Sequence, residues 1–278
     1  MTAEVKRTDD YVFQPADYVW RPDGGVHYSK VGRGDPLILL HNFELSSFIW
    51  RRVIDKFAEH FTCYRIDLPG HGYSDIPPRK YAMNDYAKAI IDVMDKLGIP
   101  KADIVASHGG CLAGVEMAVS YPQRVKKIVF DGVPYWNKER GRAVFEGWWK
   151  PMFTDTTWCD IPVIPVRTWE EVVKRNPNSP FMDREHFEES EAVARKSRRW
   201  IRLSFESLTS YDVEEAGPKI KAPVLMINGE KDMLRRGEKR ALEGIKGSVL
   251  KVVEGVRPHW NRPDEFAKLT LDFLLARG

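Results

Sequence analysis

Four short apolar runs punctuate the chain, and none of them alternates with polar residues. Leu37-Ile38-Leu39-Leu40 ends at His41-Asn42, and Ile104-Val105-Ala106 ends at Ser107-His108. Lys127-Ile128-Val129-Phe130 ends at Asp131-Gly132, and Pro223-Val224-Leu225-Met226-Ile227 ends at Asn228-Gly229. Continuous short runs of this kind predict strands of a parallel sheet covered on both faces. Between them the period changes to that of a helix. Tyr86, Ile90, Val93, Met94 and Leu97 share one face and stop at Gly98, a C-cap signal. Leu112 to Ser120 predicts a second helix that stops before Pro122, and Phe266, Leu269, Leu271, Phe273 and Leu274 predict a closing one. Alternating strands and helices imply an α/β fold with a doubly wound, mostly parallel sheet.

Residues 133–215 break the rhythm. They hold six of the nine tryptophans (Trp136, Trp148, Trp149, Trp158, Trp169, Trp200), a Pro-rich turn at Ile161-Pro162-Val163-Ile164-Pro165, and charged helical sequence from Arg184 to Arg202. This segment is expected to be a mostly helical cap inserted into a core made of residues 1–132 and 216–278. It would sit over the C-terminal edge of the sheet, where ligands bind in open α/β folds. Most of the tryptophans give such a cap its own core. Trp136, Trp148 and Trp149, near its start, are expected to face a pocket.

Composition narrows the partners. A net charge of +3 over 278 residues, spread evenly, points to neither nucleic acid nor a membrane surface. No window approaches the ~18 apolar residues of a spanning helix, and Met1 to Asp10 is polar, unlike a secretory leader. Cys63, Cys111 and Cys159 are far apart, without a CxxC pair, so a reducing, cytoplasmic setting with thiols in the core is expected. No dinucleotide or phosphate-loop fingerprint is present. A zinc site built from His41, His108 and His259 has no matching local motif. No cofactor and no metal are therefore expected. The partner expected is a small apolar or aromatic molecule, and the chain a monomer or homodimer.

Five stretches, in order, resemble the α/β-hydrolase superfamily across nearly the whole chain. They are "LILLHNFELSSFIWRRV", "RIDLPGHGYSD", "LGIPKADIVASHGGCLAGVEMAVSYPQRVKKIVF", "APVLMINGEKD" and "GVRPHWNRPDEFAKLTLDFL". The resemblance implies a nucleophile on the sharp strand-to-helix bend in Ala106-Ser107-His108-Gly109-Gly110. That bend wants small residues two before and two after its tip. Ala106 and Gly110 satisfy this for His108. For Ser107 the flanks are Val105 and Gly109, and Val105 fits poorly. In family members the distances from Leu97-Gly98 and to Tyr121-Pro122 also point to position 108. Ser-His-Gly-Gly itself resembles the bend of the cofactor-free quinolone dioxygenases, where serine holds the tip. Both residues stay open as candidates.

The same resemblance implies His259 as catalytic base, in a loop shorter than the family's usual one. Asp232 is the expected orienting acid and Asp131 the alternative. Backbone N–H groups of Phe43 and of the residue after the tip, Gly109 for a His108 tip, would form an oxyanion hole. Asn42 stands where the family pattern has glycine, and its amide is a candidate for reaching substrate. His41 is expected to orient backbone beneath that loop. The leading expectation is hydrolysis of an ester, lactone or related acyl bond. Two others stand beside it: acid–base chemistry without acyl transfer, as in a lyase or cofactor-free dioxygenase, and a binding protein without catalysis.

Overall fold

The computed structural model describes residues 17–156, 162–175 and 183–276. Trp158, Cys159 and Met1 to Asp10 lie outside the described residues. Eight strands form one sheet in the order β1-β2-β4-β3-β5-β6-β7-β8. They are β1 (Asp17–Arg21), β2 (Gly24–Val31), β3 (Asp35–Leu40), β4 (Phe61–Ile66), β5 (Ala102–Ser107), β6 (Val125–Asp131), β7 (Val224–Gly229) and β8 (Val249–Val253). β2 runs antiparallel to both β1 and β4, and every other neighbouring pair is parallel.

The four apolar runs are the central strands β3, β5, β6 and β7. β5 and β7 are buried at every position, as a sheet covered on both faces requires. The helices Met83–Lys96 and Gly109–Ser120 cover one face, joining Ile90, Val93, Met94, Leu112 and Val115 to Ile38, Ile104 and Ile128 in one core. The helix Pro263–Leu275 covers the other, where Phe266 and Leu274 meet Leu37, Leu39, Val105 and Val129.

The "DLPGHG" stretch forms the turn after β4, and it is built around one carboxylate. Fully buried Asp67 accepts hydrogen bonds from Ser47 N (2.7 Å), Tyr73 N (2.9 Å) and His27 Nδ1 (2.8 Å). Gly70 has φ +83°, and a Cβ there would stand 2.0 Å from the Trp200 ring. Only glycine lets the helix Arg184–Ser210 lie this close.

Among the described residues, 133–215 add no strand to the sheet. They form the helices Lys138–Val144, Trp169–Arg175 and Arg184–Ser210, with a wider helical turn at Phe145–Trp149. The long helix bends at Ser197, whose φ/ψ of −103°/15° is not helical. It crosses the loops that follow β3 and β4. Ser46 donates to Glu189, Arg51 pairs with Glu185, and Lys196 donates to the carbonyl of Gly72.

Candidate active site

β5 ends at Ser107 and a helix begins at Gly109, so the chain turns on His108. Its φ of 46° and ψ of −112° make it the single non-glycine residue with positive φ among the described residues. An L-residue held there costs on the order of 1–3 kcal/mol, and such strain concentrates at functional sites. The flanking glycines explain the sharpness of the turn. A Cβ on Gly110 would lie 2.4 Å from the His41 carbonyl oxygen, and one on Gly109 would lie 2.7 Å from Leu208 Cδ1.

The turn gives the two candidates different surroundings. His108 lines a cavity of about 670 Å³, together with Asn42, Gly109 and Asp232. Ser107 is wholly buried and is not part of that lining. Its Oγ donates to Asp131 Oδ2 (3.0 Å) at the end of β6 and lies 3.0 Å from His108 Nδ1. One hydroxyl proton cannot serve both contacts. With the proton given to the carboxylate, Ser107 Oγ accepts from His108 Nδ1–H.

The histidine–carboxylate pairing is exchanged relative to the leading expectation. His259 Nδ1 bonds Asp131 Oδ2, not Asp232. Asp232 Oδ2 stands 3.1 Å from His108 Nε2, while its Oδ1 accepts from Leu234 N (2.9 Å). Oδ2 has no other hydrogen-bond partner, so it is satisfied only while His108 Nε2 carries a proton. His259 is fully buried between Trp50 (5.1 Å between ring centres) and Phe266 (6.1 Å), with Nε2 unpartnered. It does not belong to the cavity wall.

These environments set the charges. Burial pushes Asp232 upward, but the nearby His108 ring and the Leu234 N–H outweigh it and hold its pKa below the ordinary carboxylate value. His259 moves down, because burial outweighs Asp131, so its imidazole stays neutral near pH 7. Cys111 is a core thiol. Its Sγ lies 3.1 Å from the Ala106 carbonyl, and burial pushes its pKa well up.

Phe43 N–H and Gly109 N–H converge on one point, and Asn42 occupies it. Its Oδ1 accepts from Phe43 N (2.9 Å) and Gly109 N (3.1 Å), while its Nδ2 donates to Glu44 Oε1 (3.0 Å). The chain's own amide oxygen thus occupies the point on which the two expected oxyanion-hole donors converge. Below this loop His41 Nδ1 donates to the Asn42 carbonyl (2.6 Å), and His41 Nε2 accepts from Leu68 N (2.9 Å).

Trp136, Trp148 and Trp149 all line the cavity; Trp149 stacks on Phe205 at 3.7 Å, and Trp148 is half exposed. Sequence reasoning missed the long helix's contribution. His186, Ser190, Ala194, Ile201, Phe205 and Leu208 face the cavity from it. Their spacing of three or four residues was visible, interrupted only where the helix bends at Ser197. Arg257, two residues before His259, and Glu44, two after Asn42, were missed as well. Among the described residues no three His, Cys, Asp or Glu side chains are grouped to hold a metal ion. No described helix is long and apolar enough to cross a membrane.

Residues 35–261 match a protein-family model described as alpha/beta hydrolase fold. "Epoxide hydrolase 1" of Caenorhabditis elegans is 26% identical over 262 residues, which is 86% of this chain and 64% of that protein. "Bifunctional epoxide hydrolase 2" of Mus musculus is 34% identical over 118 residues, 41% of this chain and 21% of that protein. The chain therefore spans less than two thirds of the length of either curated relative. A solved enol-lactonase from Burkholderia xenovorans superposes with a TM-score of 0.73 at 19% identity, covering 94% of this chain and all of that one.

Proposed function

The chain belongs to the α/β-hydrolase fold family, and we propose that it is a small-molecule hydrolase whose reacting groups are His108 and Asp232 rather than a serine triad. Its substrate is an apolar or aromatic compound with an ester, lactone or similar acyl bond, bound under a tryptophan-bearing cap formed by residues 133–215. One observation carries this reading: the bend presents His108 to the cavity and turns Ser107 into the core.

The hydrogen bonds support a direct-water mechanism. Ser107 Oγ accepts from His108 Nδ1–H, so the proton on Nε2, which faces Asp232, is the one that comes and goes, and the ring acts as general base when Nε2 is bare. Asp232, 3.1 Å from Nε2, stabilises the imidazolium that forms when Nε2 takes a proton from water. The hydroxide attacks the acyl carbon, and the carbonyl oxygen becomes an oxyanion held by Phe43 N–H and Gly109 N–H in place of Asn42 Oδ1. Collapse expels the alcohol oxygen, which takes the proton back from Nε2. Ser107 is a positioning residue in this scheme, and His259–Asp131 is the buried support that anchors it.

Two measurements on a panel of p-nitrophenyl esters and aryl lactones test the proposal. Turnover is expected, and a fluorophosphonate probe is expected to leave the intact mass unchanged. An adduct on Ser107, or no turnover across the panel, would overturn it. The same base could remove a proton from carbon, because the bend offers no hydroxyl nucleophile. That second reading is favoured if esters are inert while an acidic C–H substrate exchanges deuterium.

Asn42 makes a separate prediction. A substrate carbonyl must first displace its amide oxygen from two backbone donors, each worth about 1 kcal/mol net. Asn42→Gly restores the residue of the family pattern and is expected to raise kcat/KM for neutral esters about tenfold. A tenfold fall instead would mean that the amide itself binds substrate.

A further inference from the structure

Arginine dominates the charge of the cavity wall. Arg140, Arg167, Arg236, Arg240 and Arg257 line it, against the carboxylates Glu44 and Asp232. Three of the guanidinium groups already bond carboxylates, with Arg140 and Arg240 sharing one. Glu214 accepts from Arg140 (2.8 Å) and Arg240 (3.0 Å), and Glu191 accepts from Arg167 (2.7 and 3.0 Å). Arg236 is exposed at the rim.

Arg257 is different. Its side chain is only 12% exposed, and its nearest carboxylate, Glu44, is 3.5 Å from Nη2. Glu44 is itself held by Asn42 Nδ2 at 3.0 Å. Nε and Nη1 of Arg257 are sealed from water and bond nothing. A buried guanidinium with two unmet donors is costly, because the group has left water without gaining a partner. Facing the same cavity is His186, 2% exposed, whose Nδ1 is also buried and unpartnered. Burial, with Arg257 among its charged neighbours, pushes His186 down to about 2, so it is a neutral hydrogen-bonding group. Arg257 also acts electrostatically on Asp232 and His259, which places it near the bend.

We propose that this part of the cavity is an anion subsite, in which Arg257, assisted by His186, binds a carboxylate carried by the substrate close to its reacting bond. The inference rests on the hydrolase reading for the word substrate, but the subsite itself is a statement about binding. A planar carboxylate matches the fork of a guanidinium and can take two N–H bonds from it. The hydrocarbon part of the molecule would then lie along Phe205, Ile201 and Trp149. A compound of this class has an apolar or aryl body and an acid group a few bonds from an ester or lactone.

Calorimetry with two unreactive probes, 4-phenylbutyrate and 4-phenylbutanamide, separates the subsite from the chemistry. The acid is expected to bind at least about tenfold more tightly than the amide, a typical discrimination for a charge-assisted pair. Arg257→Gln should abolish that preference. Glu44→Gln, which removes the competing carboxylate, should strengthen binding of the acid and leave the amide unchanged. Equal affinity of the two probes for the unaltered protein would overturn the proposal, as would a preference that survives in a folded R257Q protein. Should R257Q not fold, an E44Q protein with no gain for the acid would do the same. Binding of the acid with no ester hydrolysed would sink the hydrolase reading and leave the subsite standing. Turnover of neutral esters with no acid preference would do the reverse.

Discussion

Replacing His108 by alanine is expected to lower kcat about a thousandfold, whereas Ser107→Ala should cost only about tenfold. The difference follows from where the two side chains sit. His108 holds the one imidazole nitrogen that faces both the cavity and a carboxylate. Ser107 only receives the Nδ1 proton and so selects the ring's tautomer. Losing that selection lets His108 place its proton on Nε2 for part of the time, which removes a fraction of the active base and not the base itself. The His108→Ala protein should remain folded. Its backbone angle is as strained for alanine as for histidine, and the removed ring lies at a cavity wall rather than in the core. Steady-state kinetics on any ester the panel yields, with circular dichroism as the folding control, decide the matter. Ser107→Ala as damaging as His108→Ala would return the chemistry to the serine.

Much of this geometry was readable before any coordinates. The bend could be located because glycine is forced where strand, loop and helix backbones nearly touch, and that demand reaches the sequence directly as Ala106 and Gly110. The choice between two adjacent polar residues at its tip was harder. Local identity favoured Ser107, while the small-residue rule and the spacing to Leu97 and Pro122 favoured His108. The structure turns the backbone at His108. The partner carboxylates were out of reach for a different reason. Asp131 ends β6 and Asp232 lies three residues beyond the end of the adjacent strand β7, so either could meet a histidine from the bend or from the 259 loop. Which pairs with which depends on side-chain direction at ångström scale, and a motif carries no such information.

The fold was legible where burial is two-sided. β3, β5, β6 and β7 announced themselves as apolar runs, whereas β1, β2, β4 and β8 did not. β8 alternates Leu250 and Val252 with Lys251 and is largely exposed, and β1 buries Val19 alone. Edge strands bury too little to leave a continuous pattern. β4 is buried but contains Thr62, Tyr64 and Arg65, and Arg65 is satisfied by Ser29 Oγ at 2.9 Å on the neighbouring strand. Its polarity is explained by a cross-strand partner that no single strand could reveal. The long helix lining the cavity was expected from its charges, and its cavity face keeps helical spacing on both sides of Ser197, but an amphipathic spacing does not say which neighbour the face meets.

Stability should fall steeply on acidification from about pH 6.5, well above the carboxylate range. Four histidines are buried and depressed: His41, His71, His186 and His259. Burial is the largest cause in each case, and for His71 it pushes the pKa down to about 3. In the unfolded chain these rings titrate near 6.5, so between that value and the folded one the unfolded state binds more protons and gains on the folded one. By pH 4.5 His71 and His186 alone each contribute on the order of 2–3 kcal/mol of lost stability. Together that is on the order of 5 kcal/mol, comparable with the whole margin of a typical domain. Asp232, held low, works in the same direction but only as the pH falls below its unfolded value near 4. Urea unfolding between pH 7.5 and 4.5 should show the midpoint dropping across the histidine window. His71→Phe should flatten that slope. The ring packs 5.4 Å from Phe43 and 5.6 Å from His41, its Nε2 bonds nothing, and the exchange gives up backbone contacts to Pro69 and Leu68. A midpoint that stays level down to pH 5, or a slope unchanged in the His71→Phe protein, would mean that these rings are not held neutral by the fold.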